Sequence, residues 1–436
     1  MKKQKIIIKK YYLKNISPLE KEIIIKRYRF KLGNIKKQVE CLTEDVRIRG
    51  DEAITDLIKK FDNININKSQ FKVSKAEIKD AYKKVSPKII QAIKDQIRYS
   101  KKFHTMQVRK KEWRMDIEKG VTVGEMLRPL DSVGIYVPGG KAPYPTVMQI
   151  LAVPAKIAGV KKIVACTPRA NPEVLIAADL AGVDEIYRIG GPQAIAAMAY
   201  GSETIPKVEK IVGPGNIYVT TAKIIVSNEV AIDMPAGPSE ALIIADSKAK
   251  PSNVAADMLA RMEHDEDATA VLITTDDGLA NKVIKELEIQ KEMLGRKEII
   301  NKSILKYSAI IIAQNMKEII KFTNEYAPEH LEIMVKNPWK IMKKINNAGS
   351  IFLGYFAPVA VGDYASGVNH VIPTSQYAKA YSPIGVDTFL KRSEFEYLTK
   401  NGLQILNNKI VQTLAKVEGF DGHAKSVSVR FEKNKI

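Results

Sequence analysis

The chain predicts an α/β fold with two doubly wound parallel sheets, and three observations predict it. From residue 133, short β-branched runs alternate with turn residues and small-residue helical stretches, the texture of strands joined by crossover helices. A second series of the same kind runs from 241 to 353. Outside them, residues 17–109 and 402–417 space their apolar side chains by three and four, the period of amphipathic helices. The expected divisions are a helical N-terminal region at 1–110, α/β domains at 111–237 and 238–381, and a helical C-terminal tail at 382–436.

In chain order, 40–61 and 75–99 read as helices because charged residues fill the gaps between their apolar positions. In the first series, 162–166, 185–189 and 210–212 are strand runs, separated by helices such as 172–181 and 192–199. In the second, strands at 241–245, 270–274, 309–312, 331–334 and 350–353 alternate with helices at 252–263, 278–287, 316–326 and 338–347. The amphipathic stretch 402–417 has an apolar face that must pack on something.

With 436 residues and 45% hydrophobic content, the chain can bury two or three ordinary cores. Its formal charge of +20 raises nucleic acid and anionic membranes as partners. The lysines, however, are scattered singly or in pairs among Ile and Glu, without an aromatic-interleaved basic motif. Neither partner is therefore expected. Lys2, Lys3, Lys5, Lys9 and Lys10 form the densest run and are the one candidate for a binding arm. Cys41 and Cys166 are too few for a disulfide framework. The longest apolar runs fall far short of the ~20 residues that span a bilayer, and the first ten residues lack the apolar core of a signal peptide. A cytoplasmic protein is expected.

Two Gly-rich loops follow apolar strands. The run Gly134 to Lys141 has Walker-like composition but the wrong spacing, and Ala142 stands where Ser or Thr would hold magnesium. Gly213-Pro214-Gly215-Asn216 lacks the third glycine of a dinucleotide fingerprint. Each reads either as a tight structural turn or as a loop that lets a ligand approach the backbone.

Four of the five histidines lie beside acids or turn residues, as Glu263-His264-Asp265, Glu329-His330, Asn369-His370 and Asp421-Gly422-His423. Imidazole titrates near neutrality and is the commonest metal ligand, although any one of these taken alone reads equally as a structural histidine. Asp257, Arg261 and His264 are spaced to share one helix face, and the acidic cluster after them is either a cation site or a solvated helix end. Adjacent Glu329 and His330, at the mouth of a strand, suit acid and base duties because their surroundings can separate their pKa values. Asp363, flanked by Gly362 and Gly367, is a metal-ligand candidate or a turn acid. Glu418 and His423 bring an acid and an imidazole into the tail.

Together these segments resemble the histidinol dehydrogenase family over most of the chain. The resemblance is carried by the run from Gly134 through Pro145, by GGPQAIAAMAYG at 190–201, VGPGNIYVTTAK at 212–223, DMPAGPSE at 233–240, NEYAPEHLE at 324–332, the run 347–353 and GDYASGVNHVIPT at 362–374. EGFDGH at 418–423 completes it. The resemblance implies two Rossmann-like domains and a homodimer that exchanges its tails. It implies zinc- and NAD-dependent oxidation of L-histidinol through histidinal to L-histidine, the last steps of histidine biosynthesis. By the same resemblance His330 is the base toward the alcohol and Glu329 activates water. Tyr136, Gln193 and Asn216 match NAD-contacting positions. Ser239, His370 and Glu418 match substrate-holding positions, which His264, His330, Asp363 and His423 also line. His264, Asp363 and His423 match zinc ligands.

One position departs. Where the family carries a zinc-ligating Gln three residues before its His, this chain has Arg261. A guanidinium has no acceptor atom and stays protonated, so it cannot be a ligand. At about 6 Å from Zn²⁺ and an effective dielectric of ~20, it would cost on the order of 5 kcal/mol. Three arrangements follow: Arg261 turns to Asp257 and leaves water on the metal, it replaces the metal's charge and binds an acidic substrate group, or the site is vestigial. The second defines the competing reading, a dehydrogenase of the same architecture acting on another alcohol, with or without zinc.

Overall fold

The computed structural model describes residues 8–27, 33–139, 142–235 and 237–432. Lys2, Lys3 and Lys5 of the basic run, together with Gly140 and Lys141 of the Gly-rich loop, lie outside these residues. The chain divides into two compact units. The larger takes in the described residues up to 107 together with Leu130–Phe389, and the smaller takes in Val108–Pro129 with the described residues from 390 onward.

Two parallel sheets form the larger unit. The first runs Glu185–Tyr187, Lys162–Cys166, Ser132–Tyr136, Lys210–Val212, Ala231–Ile232. In chain order this is 3-2-1-4-5, a doubly wound sheet that reverses between its first and fourth strands. The second runs Lys9–Tyr12, Ala309–Ile312, Thr269–Thr274, Glu240–Ala245, His330–Met334, Ser350–Leu353. Leaving aside the N-terminal edge strand, its order is the same. Both are buried on two faces, which is why their strands read as continuous apolar runs rather than alternating ones.

The two helix pairs at residues 33–105 divide between the two faces of the first sheet. Val39, Val46, Ile54 and Leu57, from the helices Gly33–Arg49 and Asp51–Asp62, pack in one cluster with Ile195 and Ala222 on one face of the first sheet. Ala81, Ile93 and Ile97, from Lys75–Lys84 and Pro87–Thr105, join the cluster on its other face. Each pair was expected as one long helix. Gly50, at φ 54°, breaks the first. Ser86 caps the second segment of the other, with Pro87 at its first position.

Lys9 and Lys10, part of the candidate binding arm, belong to the edge strand of the second sheet, where Lys10 donates to Asp277 at 3.1 Å and Asn281 at 2.9 Å.

The smaller unit holds a three-stranded antiparallel sheet ordered Leu390–Leu398, Val121–Pro129, Glu112–Glu118. The tail expected to be helical from about 382 therefore begins with a strand, paired to a hairpin far back in the chain. Its run LKRSEFEYL carries too many charges to read as a buried strand, and it is mostly exposed. Helices Lys400–Leu406, Gln412–Val417 and Asp421–Ser428 follow, with a wider turn of π-helix at Asn407–Val411.

Candidate active site

Two groups of expected site residues lie in the larger unit. The first gathers at the C-terminal edge of the first sheet, at its reversal point. Tyr136 ends the central strand, and its hydroxyl accepts the Gly191 amide at 3.1 Å. Burial pushes its phenol up to about 12, so it stays neutral. Gln193, in the first turn of the helix Gly191–Tyr200, is 1% exposed and its Oε1 has no partner. The Asn216 side chain accepts the Tyr218 and Val219 amides, each at 3.1 Å, and so caps the helix Ile217–Ile225. Two helix N-termini thus meet where the strands reverse. Gly213, at φ 127°, lets the loop lie against the Tyr136 backbone with no room for a side chain. All three residues line a cavity of about 1110 Å³ that extends to Gly237, Pro238 and His264.

The second group lies at the opposite, N-terminal edge of the second sheet. Its register sets Glu240, the first residue of its strand, beside Thr269, and His330 beside Ala241 and Ser350. Carried one residue back, the register sets Glu329 beside Glu240, with Ser239 one residue ahead of that row. Gly349 passes so close to the Glu329 carbonyl that a Cβ there would meet it at 2.6 Å.

His330 is 2% exposed. Its Nδ1 stands 2.9 Å from the Glu240 carbonyl oxygen. A carbonyl only accepts, so Nδ1 carries the proton and Nε2 is left with its lone pair. That Nε2 is buried without a partner, 3.9 Å from Asp363 Oδ1. Glu329 accepts the Ser239 hydroxyl at 2.8 Å and the Glu240 amide at 2.7 Å through one oxygen. Burial works to raise its carboxyl, but His330, Arg261 and the Glu240 amide outweigh it and hold it below the usual range. Asp363 is also held low against its burial, chiefly by the Arg261 charge beside it.

Arg261 is 4% exposed and sits inside this cluster. One amino group donates to Ser239 Oγ at 2.6 Å, and the other reaches Asp363 Oδ2 at 3.3 Å. Asp257 bonds instead with Glu332, so the first of the three arrangements, an Arg261–Asp257 pair, is not the one adopted. His264 opens into the cavity yet is surrounded by protein, and that burial, with the Arg261 charge, pushes its imidazole down to about 4. His370 is lowered by burial, and its Nδ1 has no partner.

The fold therefore brings Ser239, Arg261, His264, Glu329, His330, Asp363 and His370 into one neighbourhood. Glu418 and His423 belong to the smaller unit, exposed at the end of one helix and within the next.

Two residues of this neighbourhood escape the sequence. Glu240 accepts the Glu329 and Ser375 amides at 3.2 Å each and takes the forked guanidinium of Arg27 on both oxygens. Arg27 also donates to the Ile25 and Tyr326 carbonyls and lies 3.8 Å over the Tyr326 ring. The pair is fully enclosed. Glu240 ends a recognisable segment, but Arg27 lies 213 positions away in an ordinary Lys- and Ile-rich stretch, with no local signal.

A family model described as histidinol dehydrogenase matches residues 25–431. Histidinol dehydrogenase of Methanococcus maripaludis is 45% identical over 430 residues, covering 98% of this chain and 100% of the relative. That of Caldanaerobacter subterraneus is 48% identical over 409 residues, 92% of this chain and 94% of the relative. A crystal structure of histidinol dehydrogenase from Elizabethkingia anophelis superposes with a TM-score of 0.92 at 40% identity, over 97% of this chain and 98% of that one.

Proposed function

The chain belongs to the histidinol dehydrogenase family, and on that premise we propose that it oxidises L-histidinol through L-histidinal to L-histidine, closing histidine biosynthesis, with NAD taking both hydrides. The observation that carries the reading is the His330 tautomer. Nδ1 is committed to a backbone carbonyl, so Nε2 is a buried, unpaired acceptor ready to take the alcohol proton. Glu329, next to it and held ionised, accepts a proton from the water that adds to the aldehyde carbon. The resulting hydrate loses its second hydride from the same carbon, with His330 again taking the hydroxyl proton. Ser239 and the Glu240 amide fix the Glu329 carboxylate.

Support for NAD comes from the cavity. Tyr136, Gln193 and Asn216 lie where helix N-termini favour a pyrophosphate, and the buried Gln193 Oε1 waits for a donor. When bound, NAD supplies the hydride acceptor. The cavity's reach to His264 joins this region to the titratable cluster.

Zinc fits poorly. A dication bound to Asp363 at ~2.1 Å would stand about 5 Å from the guanidinium, a repulsion on the order of 7 kcal/mol at a dielectric of ~20. Among the described residues no three His, Cys, Asp or Glu side chains gather as a metal-holding set. No step is routed through a metal.

A homodimer is part of the proposal. The smaller unit leaves Trp113, Met115, Ile117, Tyr397, Leu414 and Val417 exposed, more apolar surface than a free unit needs. Glu418 and His423, in that unit, match substrate-facing positions of the family, so a second copy is the occupant that gives the surface a purpose. No described helix is long and apolar enough to cross a membrane. Cys41 and Cys166 are both free, in keeping with a reducing, cytoplasmic setting.

The test is NADH formation from L-histidinol, with about two NADH per alcohol expected from two successive hydride transfers. No NADH from this alcohol, with turnover of another, would replace the substrate.

A further inference from the structure

We propose that Arg261 permanently occupies the position at which the family would hold its metal, and that this protein works without a resident zinc ion. The inference rests on the alcohol-oxidation reading of the same site, but its metal readouts do not depend on which alcohol is used.

Three observations converge. First, Arg261, near the end of the helix Pro251–Met262, lies inside the cluster and is only 4% exposed. Second, it holds the groups a metal and substrate would compete for. One amino group reaches Asp363, matched to a zinc ligand, at 3.3 Å, and the other donates to Ser239, matched to a substrate contact, at 2.6 Å. Third, Ser239 in turn donates its hydroxyl to Glu329 at 2.8 Å. Guanidinium, hydroxyl and carboxylate therefore form a continuous donor chain, in which charge-assisted bonds are the stronger kind. A water-filled vacancy beside a displaced arginine would not produce that chain.

The fixed cation replaces part of what a metal does. It pairs with Asp363, orients Glu329 through Ser239, and offers a further N–H: Arg261 Nε is buried without a partner. A guanidinium donates and never accepts, so the substrate atom it meets must carry a lone pair, as a neutral imidazole nitrogen or a carboxylate oxygen does. Arg261 is a positioning residue whose buried Nε–H also remains for substrate.

The experiment is metal analysis of protein purified from zinc-containing medium without chelator. It is joined to thermal melting with added zinc and to NADH formation after dialysis against a strong chelator. The wild type should carry well under about 0.2 zinc per chain, melt within ~1 °C with or without zinc, and keep its rate within about twofold. Arg261→Gln restores a neutral acceptor beside His264 and Asp363. It should take up about one zinc per chain, melt several degrees higher with zinc, and lose roughly tenfold or more of its rate on chelation. About one zinc per wild-type chain, with melting and rate lost on its removal, would overturn the proposal. So would a folded Arg261→Gln protein that still refuses zinc. Should that variant not fold, the wild-type content and melting decide alone. A protein that makes no NADH from L-histidinol removes the functional reading, while zinc content and melting still judge Arg261.

Discussion

The two halves of the larger unit share a strand order but offer opposite edges to their sites. In the first half, Tyr136, Gln193 and Asn216 gather at the C-terminal edge, where the order reverses and where open α/β sheets usually bind ligands. In the second half the equivalent crevice is closed. Asp246, just beyond its strand, accepts the Tyr355 hydroxyl at 3.0 Å and the Lys248 and Lys336 amides at 3.0 and 2.8 Å, and its own amide bonds to Met334. The titratable cluster stands instead at the N-terminal edge of the same strands. The chemistry differs as well. The first site uses neutral amides and a phenol, which suits holding a preformed charged ligand. The second concentrates Glu329, His330, Asp363, Arg261 and two further imidazoles, which suits moving protons. Fold symmetry therefore fixes where a site can lie, and side-chain identity decides which edge is used.

The largest expected effect separates binding from proton transfer. His330→Asn should lower kcat by about 10²–10⁴ with little change in the KM for NAD, as loss of a positioned base does. Gln193→Ala should raise that KM by roughly tenfold with kcat nearly intact, the cost of one buried hydrogen bond. Steady-state kinetics with both substrates varied reads both. If His330→Asn moved the KM for NAD instead, the division of labour between the halves would be wrong.

Next comes the strut beneath the second site. Arg27→Met leaves Glu240 buried without its cation, and breaking such a pair costs about 3–5 kcal/mol. Chemical denaturation should show that loss. Because Glu240 carries the Glu329 amide, kcat should fall as well. An unchanged denaturation midpoint would mean that the enclosed pair is not what sets the second edge.

Asp246→Ala tests the closed crevice. Losing three accepted bonds should destabilise the chain by about 1–3 kcal/mol while leaving both KM values and kcat within about twofold. A large kinetic defect would show that the second half uses its C-terminal edge after all.

Much of this framework is legible in the sequence, for reasons that also explain what is hidden. The strands at 162–166, 210–212, 309–312 and 350–353 lie where their β-branched runs place them, because strands buried on both faces must be apolar throughout. Glu112–Glu118 and Leu390–Leu398 are exposed strands rich in charge, and their pairing through Val121–Pro129 joins segments more than 270 positions apart. No local pattern announces such a partner. The edge strand Lys9–Tyr12 has only four residues, two of them lysines, a composition that protects edges and conceals them. At the site, Glu329, His330 and Asp363 are visible as residue types, but their convergence depends on register across strands 90 positions apart. The Arg27–Glu240 pair is hidden for the same reason.

The smallest effect concerns a second buried acidic pair. Glu332, two residues beyond His330 on the same strand, and Asp257, one turn before Arg261, share a hydrogen bond. Burial, and for Glu332 also the neighbouring Asp257 charge, pushes both carboxyls up, Asp257 to about 6 from 3.8. Between those two values the folded chain binds more protons than the unfolded chain. Asp257's contribution to stability is therefore full below about 3.8 and is lost as pH rises through about 6, and that of Glu332 is lost in the same direction. Glu332→Gln removes one of the two charges, so the variant should melt about 2 °C above the wild type at pH 8 and lose that advantage near pH 4. An equal or lower melting temperature at pH 8 would mean that Arg261 already neutralises the pair. The fixed cation would then serve the buried acids behind it as well as Asp363 in front, and the charge contrast between the two halves would be smaller than their residue lists imply.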